Sequence, residues 1–193
     1  MKNRIAATAA TALTAILALA GCASTATGPG DMPGTDSSTS ADADANSADV
    51  QFAMMMIPHH EQAVEMAEMV LAKDDIDERV VALAEQIKAA QGPEIELMES
   101  WLDDWGTPMG DMDGMDHGGM MSDTDMRALQ DATGVEASRL FLEQMIVHHE
   151  GAIQMAQTEV EHGQNADVIA LAENIIASQT TEITTMEEIL ATL

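Results

Sequence analysis

The sequence predicts an all-α fold, a four-helix bundle made from two copies of one helical hairpin. Three observations carry that expectation. The first is a repeat: Phe52-Ala-Met-Met-Met56-Ile-Pro-His59-His60-Glu61-Gln-Ala63-Val-Glu-Met66-Ala67 returns as Phe141-Leu-Glu-Gln-Met145-Ile-Val-His148-His149-Glu150-Gly-Ala152-Ile-Gln-Met155-Ala156, with nine of sixteen positions identical at an offset of 89. The second is its continuation, in which Ala82 to Glu99 matches Ala170 to Glu187 at an offset of 88. The change of one residue places a short turn between two segments in each copy. The third is apolar residues recurring with the 3.6-residue period in all four segments. Two copies with so long a period do not make a solenoid. They fit hairpins closing into a bundle.

In the first helix Phe52, Met56, His59, Ala63, Met66 and Val70 form one stripe. Ala53, Ile57, His60, Val64, Ala67 and Leu71 form the stripe beside it, with Glu61, Glu65 and Glu68 on the far side. Both histidines therefore belong to the inward face. Pro58 lacks a backbone donor and predicts a kink or an early start, absent from the second copy, which has Val147. The second helix is expected over about Asp77 to Asp104, with a similar interruption at Pro93. Ser122 and Asp125 predict a capping box on a short helix ending near Gly134. The third long helix repeats the first, with Phe141, Met145, His148, Ala152 and Met155 beside Leu142, Ile146, His149, Ile153 and Ala156. The fourth is expected over about Ala166 to Leu190. The core stripes of helices two and four each carry a Gln and a Glu where an apolar residue is expected: Gln91 and Glu94, Gln179 and Glu182. A buried carboxylate needs a partner. Folding each hairpin back brings these residues to the level of the histidines. If the helices alternate up and down, helices one and three run parallel on a diagonal.

The N-terminus has the pattern of an export signal over residues 1–21: Lys2 and Arg4, an apolar run from Ala9 to Ala20, then Leu19-Ala20-Gly21-Cys22. The run is too short to span a bilayer. Leu-Ala-Gly-Cys resembles a bacterial lipobox, which makes Cys22 the expected lipidation site and predicts a protein anchored to the outer face of the cell membrane. An ordinary signal peptide with a chance cysteine is the alternative. Residues 22–49 are rich in Ser, Thr, Ala, Gly and Asp and read as a tether. Residues 50–193 are the expected bundle domain, long enough for one real core. Cys22 is the one cysteine, so that domain has no disulfide and no thiolate ligand. The formal charge is −27; without Lys2 and Arg4 it is 5 − 34 = −29. Such a surface argues against nucleic acid and anionic lipid headgroups as partners.

The chemistry lies in the repeated His-His-Glu with flanking Met. Neutral imidazole and thioether together favour copper, above all Cu(I); imidazole with carboxylate admits Cu(II) or another transition metal such as zinc or iron. Neighbouring helical residues diverge by about 100°, so one His-His pair does not chelate one ion by itself. The candidate ligands are His59, His60, Met56 and Met66 in the first copy, His148, His149, Met145 and Met155 in the second, and Glu94, Met98, Glu182 and Met186 from the second and fourth helices. The competing reading is of core histidines hydrogen-bonded to buried Glu and Gln, with Met as filler. Residues 106–121 add Met109, Met112, Met115, His117, Met120 and Met121 in a Gly- and Asp-rich stretch. This spacing resembles the Met-rich motifs of extracytoplasmic copper carriers; a flexible acidic linker is the bland alternative. The loop is expected over the bundle end nearest the histidines, where it would pass ions inward.

The duplicated Met-Ile-x-His-His-Glu-x-Ala-x-x-Met-Ala, with downstream Ala-Leu-Ala-Glu and Glu-Ile-x-x-Met-Glu, resembles the bacterial family called domain of unknown function 305, from about Val50 to the C-terminus. The resemblance implies a ferritin-like four-helix bundle in exported, often lipid-anchored proteins, some associated with copper binding and tolerance, with no agreed enzymatic activity. Two other classes stay open. A ferritin-like metal-dependent oxidase would need Glu-x-x-His on two helices; only Glu159-x-x-His162 is present, without a copy in the first half. A metal-free envelope interaction scaffold needs no ligands at all.

Overall fold

The computed structural model describes residues 45–107 and 118–193. Cys22 and the ligand candidates Met109, Met112, Met115 and His117 lie outside the described residues. Five helices follow in order: α1 Ser47–Leu71, α2 Glu78–Asp104, α3 Asp123–Asp131, α4 Gly134–His162 and α5 Ala166–Leu190. No strand occurs among the described residues.

Local chemistry explains the helix starts. Asn46 caps α1 in a box with Asp49, and Asn165 accepts from the backbone N–H groups of Asp167 and Val168 at the head of α5. Asp77 caps α2 through the backbone N–H of Arg79. Ser122 and Asp125 form the expected capping box on α3. Each fills donors that a helix start leaves open. Gly134, with φ +56, turns the chain from α3 into α4 in the left-handed region that favours glycine. Neither proline starts a helix: α1 runs through Pro58 and α2 through Pro93. An interior proline costs about 3 kcal/mol. Buried neighbours on both sides, Met56, Ile57, His59 and His60 around Pro58, hold the helix in one piece. α1 also begins at Ser47, a few residues inside the stretch read as tether.

α1 packs on α2, α4 on α5, and the two hairpins join through α1 and α4. The direction of that join corrects the expectation of parallel diagonal helices. Asp49 Oδ1, near the start of α1, accepts from the backbone N–H groups of Gln164 at 3.0 Å and Asn165 at 2.9 Å, just past the end of α4. Asp77, just past the end of α1, donates its backbone N–H to Ser138 Oγ at 3.2 Å, near the start of α4. α1 and α4 are therefore adjacent and antiparallel. Asp49 and Ser138 occupy equivalent positions in the two copies, as do Asp77 and Asn165. The tandem repeat thus folds as an internal pseudo-dimer, each copy offering the same helix face to the other.

The antiparallel join makes α2 and α4 parallel, so the chain between Trp105 and Thr133 joins opposite ends of the bundle. One long crossover of this kind belongs to ferritin-like bundles. Its described end, residues 118–121, lies away from the bundle end. Met121 is clamped by Gln62, whose Oε1 accepts from the Met121 backbone N–H at 2.7 Å and whose Nε2 donates to its carbonyl at 3.0 Å. On the other side, a Cβ added to Gly151 would fall 2.1 Å from the Gly118 carbonyl oxygen. The strap 118–121 therefore lies along the side of α1 and α4, one turn past the histidines of each. Gln62 and Gly151 are themselves equivalent in the repeat, and their difference is what lets one strap cross a symmetric pair of helices.

Two apolar clusters flank the histidine level. One holds Met66, Phe141, Met145 and Met186 under Leu129 of α3. The other holds Phe52, Met56, Met98 and Leu102. No helix among the described residues is long and apolar enough to cross a membrane.

Candidate metal centre

The helical period places His59 and His60 on the α1 face that meets α2 and α4, and the repeat places His148 and His149 likewise on α4. All four are buried, at 0% to 1% exposure, as expected. The rings of His59 and His148 meet with centroids 3.7 Å apart and planes inclined by 40°. These two are repeat equivalents, so the pseudo-twofold axis passes between them. The outer pair is held differently. His60 Nε2 lies 2.8 Å from Glu94 Oε2, and His149 Nε2 lies 2.6 Å from Glu182 Oε2. The two carboxylates that break the apolar stripes of α2 and α5 thus have the partners that burial demands.

The inner and outer histidines divide the chemistry. An acceptor at Nε2 fixes the orientation of His60 and His149 and leaves their Nδ1 atoms buried and without a hydrogen bond. The ring of His148 has no side-chain hydrogen-bond partner; its one favourable polar contact is with the backbone of His59. Burial, then the neighbouring rings of His59, His149 and His60, pushes the His148 pKa well below its ordinary value. At neutral pH His148 is an uncharged imidazole in an apolar surround, the state in which imidazole is a ligand. The buried carbonyl oxygens of Gln91 and Gln179 also lack donors.

Thioethers surround this level. Met56 and Met98 are fully buried on one side, and Met145, Met186 and Met66 on the other. Met155 departs from the expectation: it is half-buried and lines a cleft near the α1 start and the α4 end. Met120 and Met121 are half-buried, with Met121 packed on the cluster beneath α3. Among the described residues, no three His, Cys, Asp or Glu side chains converge as a ready metal cage. Buried imidazoles ringed by thioethers nevertheless fit a soft cation in donor type. Side-chain shifts of buried Met would supply the remaining bonds. Glu159-x-x-His162 does not join this centre: Glu159 is buried beside Asp49 at the bundle end and His162 is exposed. The ferritin-like oxidase pattern is therefore not assembled among the described residues.

Sequence reasoning missed the strap contacts of Gln62 and Gly151 and the buried pair Asp49 and Glu159. The repeat carried the signal for two of them: Gln62 faces Gly151, and Glu159 stands where the first copy has Val70.

A duplicated hairpin with paired buried histidines on its pseudo-twofold axis defines an all-α bundle of a distinct class. The chain matches the family model described as Domain of unknown function (DUF305) over residues 49–190, and it belongs to that family. Solved relatives share the fold. A DUF305 protein from Streptomyces coelicolor is 37% identical, with 75% of this chain and 93% of that one covered at a TM-score of 0.71. A DUF305 fragment from Deinococcus radiodurans is 34% identical, with 77% and 99% covered at 0.71. CopM in its Cu(I)-bound form is 33% identical, with 72% and 93% covered at 0.62; it is also known in Cu(II)-bound, Ag-bound and apo forms. No curated protein matches the chain.

Proposed function

We propose that this protein binds copper, Cu(I) above all, at the outer face of the cell membrane, and sequesters it or hands it on. The observation that carries the reading is the pair His59 and His148 on the pseudo-twofold axis, with His148 neutral and thioethers on both sides. Copper enters as cargo. The relatives solved with Cu(I), Cu(II) and Ag support that choice of ion. The Met/His-rich segment 106–121 serves as the capture site, delivering ions to the strap beside the histidines. The export signal and Cys22 provide the lipid anchor.

The test is elemental analysis of the chain from residue 23 onward after Cu(I) exposure under reducing conditions. Variants carry Leu at Met109, Met112, Met115, Met120 and Met121, or replace His59 and His148. Reduced copper content in each variant is the expected result; equal uptake by all three proteins overturns the reading. Cys22→Ser in the full chain should release the protein from the membrane fraction or block its processing. Normal cleavage with unchanged retention would refute the anchor.

A second reading has its own observation. His60 with Glu94 and His149 with Glu182 are satisfied core pairs, as a metal-free scaffold would have. Copper uptake unaffected by any of these variants leaves that reading standing.

A further inference from the structure

The pseudo-twofold axis makes every feature of the α1/α4 surface occur twice, and one feature has been treated differently at its two occurrences. At one end, α3 lies across both helices and seats Leu129 with no exposure. Rotation about the axis carries that seat to the other end of the same surface. No helix covers it there among the described residues, and a cleft of about 220 Å³ is left between α1 and α4.

The two seats share a floor but not a lining. Phe141 beneath α3 becomes Phe52 in the cleft, and Met66 becomes Met155. Around them, Leu140 becomes Gln51, Met69 becomes Thr158, and Val70 becomes Glu159. Three apolar positions have turned polar, which removes the reason for an apolar helix to dock. Gln144, which anchors α3 by donating to the Asp125 carbonyl at 3.0 Å, becomes Met55. A polar anchor has been exchanged for a second thioether.

The cleft also holds a buried acid. Glu159 is 1% exposed and accepts from no donor; its one hydrogen bond is the one it gives to Asp49. Its polar neighbour is the Asp49 carboxyl, whose own oxygens are taken by backbone N–H groups of Asn46, Gln164 and Asn165. Gly163 makes room for it, since a Cβ there would fall 2.0 Å from Glu159 Oε1.

We infer that this cleft is a second soft-cation site, separate from the histidine centre, in which the thioethers of Met55 and Met155 and the carboxylate of Glu159 bind Cu(I) or Ag(I). Thioether sulfur selects a soft ion, and Glu159, releasing its proton to solvent as the ion enters, supplies the charge that a buried cation needs. Gln51 Nε2 lies 3.6 Å from Met55 Sδ and restrains the sulfur at the mouth. The site rests on the copper reading above, but not on the histidines.

The test uses Ag(I) with the chain from residue 23 onward carrying Leu at Met109, Met112, Met115, Met120 and Met121 and Gln at His117, so that loop sites do not mask the count. Bound silver is measured after gel filtration in this protein, in its Met55→Leu/Met155→Leu variant, in Glu159→Gln, and in a His59→Ala/His148→Ala variant. Leucine and glutamine keep volume, and circular dichroism with thermal unfolding verifies the fold. The expected result is the loss of about one silver per chain in the double Met variant, weaker binding by about tenfold or more in Glu159→Gln, and retention of that silver in the His variant. Undiminished silver in the double Met variant overturns the cleft site while the histidine reading survives. Silver lost in the His variant but not in the Met variant does the same. No silver bound by the parent protein overturns both readings at once.

Discussion

The two ends of the α1/α4 surface began as copies and now differ in kind. One is roofed by α3 and dry; the other is open, polar at the rim and acidic at the base. Four equivalent positions separate them, and the two floors keep Phe and Met in common. The lesson is that duplication fixes where a seat lies, and a handful of side chains then decides what sits in it. Leu140, Met69 and Val70 invite an apolar helix; Gln51, Thr158 and Glu159 keep it off.

The largest expected effect comes from breaking the roofed end. Leu129→Ala should lower stability by about 2–4 kcal/mol, because a fully buried leucine leaves a cavity beneath a short helix. The mirror change, Met155→Ala at the half-exposed cleft, should cost about 1 kcal/mol. Chemical denaturation of both variants checks the ratio. Equal losses would mean that α3 contributes no more than the open cleft does.

The two outer histidine pairs sharpen the comparison at the centre. The Glu182 side chain is 8% exposed and that of Glu94 is 24%. Glu182→Ala should therefore cost about 2–3 kcal/mol and Glu94→Ala about 1 kcal/mol, since water can replace the second carboxylate more easily than the first. Unfolding midpoints in urea would show this, and the reverse order would deny the difference in burial.

The strap gives a local effect. Gly151→Ala should push residues 118–121 away from α4, since the new methyl meets backbone rather than the end of a flexible side chain. A loss of about 1–2 kcal/mol is expected, with faster hydrogen exchange confined to Met121 and the first turn of α3. Unchanged exchange there would mean that the strap does not rest on Gly151.

The smallest effect at neutral pH, and the most specific, belongs to Asp49 and Glu159. Burial first and Asp49 second raise the Glu159 carboxyl from 4.5 to about 8. Burial pushes Asp49 up as well, but hydrogen bonds from Asn46, Asn165, Glu159 and Gln164 outweigh it and hold the carboxyl below its ordinary value. Between pH 4.5 and about 8 the folded chain keeps a Glu159 proton that the unfolded chain has released. Stability of the metal-free protein should therefore fall as pH rises through that window and level off above it. Asp49 adds the opposite slope in acid, its contribution being lost as pH falls below its ordinary range. In Glu159→Gln the amide donates to Asp49 without titrating, so the decline toward pH 8 should disappear from thermal unfolding curves. The roofed end has Ser138 and Val70 in these places and offers no such slope. A decline that persists in Glu159→Gln would assign it to another group.

The sequence by itself determined a great deal. The repeat gave two hairpins, the 3.6-residue period put all four histidines inside, and the polar breaks at Glu94 and Glu182 named their partners. The capping box of Ser122 and Asp125 was legible because capping is local. Which stripe of a helix is apolar depends only on spacing along the chain, and spacing is written in the residues. The tertiary structure decided the rest. Two apolar faces can meet parallel or antiparallel with similar burial, so patterning does not choose between them. The choice lay with the connection from Trp105 to Thr133, long enough to return along the bundle, and with contacts such as Asp49 to Asn165 that form only in one direction. That choice set His59 against His148, moved the strap from the end to the side, and left one of two equivalent seats open. Only packing distinguishes Met66 from Met155 or Val70 from Glu159, because each pair has the same place in the repeat and a different neighbour in space.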